Sequence, residues 1–175
     1  MSKVKWNQNS MIRGAIRRTF SRSPIKQEVL KENRKEFPKY NKDGTRSKKN
    51  AVCYLCNVCK KYYGSTKISV DHTIPVISIE EGFVNWETFI DRLYCSKENL
   101  QCLCESCHKI KTNHERFQRT MKQESKEMAA IEERLINKQL TPDDYKFIKK
   151  FTPRRLEKYP EDFVKAINEL KKKLK

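Results

Sequence analysis

Seven cysteines in a chain of 175 residues are the first candidates for chemistry. Cys56-Asn57-Val58-Cys59 and Cys104-Glu105-Ser106-Cys107 form two C-x-x-C pairs with 44 residues between them. Two such knuckles present four thiolates, the set of a closed tetrahedral zinc site, where the metal supplies folding free energy directly. An odd cysteine count in a chain without secretory signals favours metal over disulfides. The register of the first pair is open at this point. Cys53-Tyr54-Leu55-Cys56 has the same spacing, Cys102 lies two residues before Cys104, and Cys56 belongs to both options. Cys53, Cys95 and Cys102 read otherwise as ordinary buried cysteines.

Between the knuckles runs Val70-Asp71-His72-Thr73-Ile74-Pro75, then Asn99-Leu100, and His108 directly follows Cys107. Singly, each has a plain structural reading: an Asp-His pair as polar surface, an Asn as a turn or cap, a His as a spare ligand. In this order around two knuckles they resemble the HNH endonuclease family in its zinc-stapled form, with the pattern C-x-x-C, D-H-x-x-P, N-L and L-C-x-x-C-H-x-x-K-T. The matching residues are Cys56, Cys59, Asp71, His72, Pro75, Asn99, Leu100, Leu103, Cys104, Cys107, His108, Lys111 and Thr112. The family's spacing favours Cys59, 12 residues before Asp71, over Cys56, 15 before it, as the second ligand of the first knuckle. The first 50 and last 60 residues lie outside the motif and resemble more loosely the basic helical extensions of phage-encoded members.

The resemblance implies a ββα-metal (His-Me finger) core holding one catalytic divalent ion beside the structural zinc. In that scheme Asp71 and His108 hold the ion, His72 is the general base, Asn99 orients the His72 loop, and cleavage leaves 5′-phosphate and 3′-hydroxyl ends. The residue chemistry is compatible. Asp71 and His108 offer an oxygen and a nitrogen suited to Mg²⁺, Mn²⁺ or a later transition metal. On a helix opening after Cys104, Cys107 and His108 are about 100° apart, so one can face the zinc and the other a separate site. Neighbours on a regular strand point to opposite faces, so the strand is expected to end at Asp71-His72, with Pro75 locking the exit. Lys111 falls near the His108 face and can reach a phosphate, whereas His114 falls about 120° away and reads as surface. Asp-His to Asn spans 27 residues, long for the family, and this insert holds Trp86 and Phe89. A small helix packed over the site is expected there.

The elements that must position these residues read as follows. Met11, Ile12, Ala15, Ile16 and Phe20 recur at helical spacing with Arg13, Arg17 and Arg18 between them. A second helix starts at Ser23-Pro24 and runs to Phe37 before Pro38, and the stretch 39–50, with Asp43-Gly44, reads as a polar loop or linker. Residues 51–72 suggest a β-hairpin turning at Gly64-Ser65 and ending in Ile68-Ser69-Val70. Asn85–Leu93 reads as a short helix, a long helix runs from Glu105 past Phe117, and Thr141-Pro142, Thr152-Pro153 and Tyr159-Pro160 open three more. The expected fold is α+β, mostly helical, divided into a basic N-terminal arm (1–50), an HNH core (51–117) and a basic C-terminal extension (118–175).

Charge follows the same division. Residues 1–50 carry 15 Lys/Arg against 4 acids, residues 51–115 carry 7 against 8, and residues 116–175 carry 17 against 10, within a net +17. A near-neutral chemical centre between two basic ends points to a polyanion, DNA first with RNA next, and Arg13, Arg17, Arg18 and Lys111 are the candidate phosphate contacts. No apolar run is long enough to cross a bilayer and the first ten residues are polar, so no membrane role is expected. The expectation is a cytoplasmic protein, in the host cytoplasm if phage-encoded. A metal-dependent DNA endonuclease is the leading expectation. The other is a zinc-stabilised nucleic-acid- or protein-binding accessory module, working with other DNA-processing proteins, whose nuclease centre is unused.

Overall fold

The computed structural model describes residues 7–174 and is α+β and mostly helical, with two small antiparallel sheets. It divides into two compact units, the first ending at His114 and the second beginning at Glu115.

In the first unit, α1 (Gln8–Phe20) starts at Asn7, whose side chain accepts from Ser10 N at 3.0 Å, satisfying one of the donors that a helix start leaves free. The helix α2 (Pro24–Glu32) has Pro24 in its first turn, where no backbone donor is needed. It stops five residues before Phe37. Asn33 closes it, its Nδ2 donating to Val29 O at 2.8 Å, and Arg34–Phe37 becomes strand β1. The apolar stripe fails there: β1 is exposed except at half-buried Phe37, and its backbone is satisfied by β2 (Ala51–Leu55), with Arg34 opposite Tyr54 and Phe37 opposite Ala51. Pro38 thus ends a strand and not a helix.

β2 also pairs with β3 (Tyr62–Gly64), so the chain reverses at residues 56–61 and not at Gly64-Ser65. A 3₁₀ turn over Ser65–Lys67 breaks the ladder, and β4 (Ile68–His72) leaves to pair antiparallel with β5 (Leu100–Cys104). The expected hairpin over 51–72 is therefore split between two sheets. Every residue of β4 is at least half-buried and four of five in β5 are buried, so each strand gains more from the other than from the exposed β3. Between β4 and β5 lies α3 (Trp86–Leu93), capped by Asn85, which accepts from Thr88 N at 2.8 Å. Directly after β5 comes α4 (Glu105–Ile136), which continues across the boundary between the units.

Phe20 of α1 and Val29 of α2 share one buried cluster with Val76, Phe89, Leu93, Leu100 and Cys102. The division expected at residue 50 is therefore not a break in packing: the first two helices supply part of the core around β4 and β5.

The second unit continues α4 and adds α5 (Pro142–Lys149), α6 (Pro153–Leu156) and α7 (Glu161–Lys173). The three Thr/Tyr-Pro signals open these helices as expected, and Thr141 with Asp144 completes a capping box. Met128, Ile131, Ile148, Phe151, Leu156, Phe163, Ile167 and Leu170 form its own buried cluster. Each large side chain fully buried there contributes roughly 1.5–3 kcal/mol. The buried Glu124 is compensated by Arg155 at 2.8 Å, Lys150 at 3.2 Å and the Tyr159 hydroxyl at 2.6 Å.

Candidate metal centre and active site

The first knuckle is the reversal between β2 and β3. Cys56 N donates to Lys61 O at 2.9 Å, Lys60 N donates to Cys56 O at 3.0 Å, and Lys60 takes a positive φ of 56° to close the loop. The second knuckle begins on the last residue of β5, Cys104, and continues into the first turn of α4 with Cys107. Asn57 joins the two, donating its N–H to Cys102 O and accepting from Cys102 N with Oδ1, both at 2.8 Å. The sulfurs of Cys56, Cys59, Cys104 and Cys107 all lie within 4.8 Å of one another, with Cys59 and Cys104 at 3.9 Å. Four sulfurs about 2.3 Å from a tetrahedral zinc stand about 3.8 Å apart, so the set fits a structural metal such as zinc. The backbone N–H of Cys104 donates to Cys56 Sγ at 3.3 Å, which suits a thiolate. Cys53 lies in β2 outside this cluster, so of the two registers only Cys56/Cys59 brings four sulfurs together. Cys102 is fully buried and burial pushes its thiol up to about 11, the behaviour of a core residue.

A second cluster forms where β4 meets α4. Asp71 Oδ1 is 3.8 Å from His108 Nε2, and Asp71 Oδ2 is 3.0 Å from Lys111 Nζ. An ion bound by both Asp71 and His108 at about 2.1 Å needs those two atoms within about 4.2 Å of each other, and they are. The oxygen and nitrogen donors suit a divalent ion, while Lys111 occupies the carboxylate's other oxygen. One turn along α4, its ammonium thus stands beside the Asp71–His108 pair.

His72 does not share this cluster. The strand ends at His72 as expected, but both residues still lie inside the β4–β5 ladder, Asp71 opposite Gln101 and His72 opposite Leu100. Adjacent ladder residues point to opposite faces, and their partners differ accordingly. His72 is 8% exposed, its ring 5.1 Å from that of Phe20, and its Nε2 is 2.9 Å from Leu93 O at the end of α3. A carbonyl only accepts, so Nε2 carries the proton in this bond, and the neutral ring keeps its lone pair on Nδ1. Burial holds its pKa below the ordinary histidine value, favouring that neutral form.

Asn99 grips the turn that leaves His72. Its Oδ1 accepts from Ile74 N at 2.8 Å and its backbone carbonyl from Thr73 N at 2.8 Å. Phe20, the Leu93 carbonyl and Lys26 were not singled out from sequence. Lys26 is half-buried, its ammonium 5.6 Å from the Phe20 ring, and burial lowers its pKa while the Asp71 charge acts the other way. Only Phe20 left a signal, as the last apolar residue of the α1 stripe.

The expected arginine stripe of α1 is divided in its surroundings. Arg13 stands over the Phe83 ring at 5.0 Å and Arg17 over Phe89 at 5.5 Å, so both rest on the aromatic side of the insert. Arg18 is exposed and lines an open cavity with Arg22, Ser23 and Tyr94. Phe89 is buried and Trp86 half-buried, so the insert's aromatics serve as core, and His114 is exposed. No helix among the described residues is long and apolar enough to cross a membrane. Comparison with protein-family models, with curated proteins and with solved structures finds no match to this chain.

Proposed function

We propose that the chain is a metal-dependent endonuclease of the HNH type that hydrolyses phosphodiester bonds in DNA. The observation that carries this reading is the succession β4, β5, α4. It places Asp71 3.8 Å from His108, lets Asn99 bond the turn after His72, and shares its ends with the four-cysteine cluster. In this reading β4, β5 and the start of α4 are the ββα-metal core of the family that the sequence resembles. Asp71 and His108 hold the divalent ion, which when bound neutralises charge developing on the phosphate and the departing 3′ oxygen.

The chain's own residues do the rest. The bond to Leu93 O leaves Nδ1 of His72 as the acceptor, and this reading requires the end of β4 to turn so that Nδ1 comes to the Asp71–His108 side and takes the proton from a water attacking phosphorus. Asn99 holds the turn after His72 against movement. Lys111, beside Asp71, supplies positive charge to a phosphate oxygen, and Arg13, Arg17 and Arg18 present guanidinium groups to the backbone.

A second reading has a specific observation behind it. His72 is buried and packed on the face opposite Asp71, which fits a zinc-stabilised binding module whose centre is unused. Supercoiled plasmid incubated with the protein and Mg²⁺, Mn²⁺ or Ni²⁺ separates the two. The nuclease reading expects nicked or linear product from the wild type and none from His72→Ala. No cleavage with any of the ions, or equal cleavage by the variant, assigns the chain to the binding-module class.

A further inference from the structure

Residues 39–50, read from sequence as a polar loop or linker with a turn, form a folded ribbon that continues the β1–β2 pair. Ser47 N donates to Lys39 O at 2.8 Å, Tyr40 and Arg46 face each other in an antiparallel bridge, and Asn41 N donates to Thr45 O at 2.8 Å. The tip closes through Gly44 N to Asn41 O at 3.1 Å, with Gly44 at φ 82°, a conformation glycine adopts without strain. Asp43 Oδ1 accepts from Thr45 N at 2.9 Å and from the Thr45 hydroxyl at 2.6 Å.

The ribbon carries five cations against one carboxylate, Asp43. Lys39, Lys42, Arg46, Lys48 and Lys49 are all exposed, and none is in an ion pair among the described residues. The nearby acids are engaged elsewhere: Asp43 holds the tip, and Glu36 at the base takes Arg34 and the Asn50 amide. Tyr40 is 64% exposed opposite Arg46. Five cations presented on a preformed two-stranded ribbon need a polyanion with a matching recess.

We propose that this ribbon docks in the major groove of duplex DNA, its cations on the flanking phosphates. The inference rests on the reading of the chain as a DNA-acting protein and adds where the duplex is held. A B-form major groove, about 12 Å wide, admits a two-stranded β-ribbon, whereas the deep, narrow major groove of A-form RNA does not. Four of the five cations are lysines, point charges that contact phosphate without reading base edges, so the docking is indifferent to sequence. The internal bonds of the ribbon fix its shape before contact, which reduces the ordering cost of binding.

The test uses the full chain without added divalent ions, so that binding is read apart from cleavage. A variant with Lys39, Lys42, Arg46, Lys48 and Lys49 changed to Gln is compared with one in which Arg154, Lys158, Lys165, Lys172 and Lys173 are changed to Gln. Far-ultraviolet circular dichroism and zinc content check the fold, and a triple variant at Lys42, Lys48 and Lys49 stands in if the quintuple one misfolds. Fluorescence anisotropy follows binding to a duplex DNA of arbitrary sequence, to the matching RNA duplex and to phosphatidylserine vesicles, at several salt concentrations.

The expected result is tighter binding to DNA than to RNA duplex, with the slope of log affinity against log salt shallower by about four to five in the ribbon variant, near 0.9 per phosphate contact. For the triple variant the expected reduction is about two to three. A loss of slope no larger than that of the matched variant overturns the proposal. So does equal, ribbon-dependent binding of RNA duplex, and so does ribbon-dependent binding to vesicles with no binding to DNA. Ribbon-dependent DNA binding without cleavage under any ion sinks the nuclease reading and leaves this one standing. Cleavage with ribbon-independent binding does the reverse.

Discussion

At the scale of single residues, the proposed nuclease chemistry turns on His72. Its Nε2–H is committed to the Leu93 carbonyl, so any proton it accepts arrives at Nδ1, and burial beside Phe20 disfavours the charged ring. In the nuclease reading protonation removes the base, so cleavage should be lost as pH falls through the pKa of His72. Because that pKa lies below the ordinary value, the acid limb of kcat/KM is expected below about pH 6.5. Phe20→Ala, which lets water reach the ring, should move the limb upward. A pH–rate profile with its acid limb at or above 6.5 in the wild type, unmoved in the variant, would separate the burial of His72 from catalysis. Asp71, His72, Asn99 and His108 were singled out by their order around the cysteines and the family resemblance it carries, and the fold sets Asp71 beside His108 and bonds Asn99 to the turn after His72. The orientation of His72 was not legible in the sequence, because it depends on a backbone carbonyl 21 residues away, which no side-chain pattern encodes.

At the scale of elements, legibility tracked how local the determining interaction is. The helices after Thr141, Thr152 and Tyr159 were readable because caps and prolines act within one turn. The strands within 51–72 were expected but their pairing was not, because β4 chose β5 over its sequence neighbour, and the choice rests on burial that only the folded chain defines. The same non-local pairing brings the cysteines together, and it settles their register. Cys59→Ser should lose zinc and Cys53→Ser should retain it, by elemental analysis of purified protein; retention by Cys59→Ser and loss by Cys53→Ser would reverse the assignment.

A second element-scale expectation concerns α5. The Arg134 guanidinium grips both oxygens of the buried Asp144, at 2.6 and 3.2 Å, and holds its carboxyl below the usual carboxylate range. A depressed pKa stabilises the fold above the unfolded value and loses that contribution as pH falls through the folded one. Asp144→Asn should therefore cost about 2 kcal/mol at pH 7, with the gap to wild type closing below about pH 4. Denaturant titration at the two pH values measures it.

At the scale of the whole molecule, the two units are stabilised by different means. The unit from Glu115 onward has eight buried apolar side chains, seven from its four helical segments and Phe151 from the α5–α6 connection, and no cysteine. The unit ending at His114 has a seven-residue cluster and a three-residue one, Cys56, Leu103 and Cys104, whose cysteines belong to the four-sulfur set. A metal bound by the four sulfurs would tie the β2–β3 reversal to the end of β5 and the start of α4, so the first unit is expected to depend on the metal in a way the second does not. Stripping zinc from the full chain with a strong chelator should raise amide exchange across β2, β3, β5 and the start of α4. Exchange in α5 and α7 should stay protected. Thermal unfolding should then show a transition at lower temperature for the first unit, ahead of a second whose midpoint does not depend on chelator. Loss of protection in both units together, at one common midpoint, would mean that the second cluster is not self-sufficient and that zinc supports the chain as a single cooperative body.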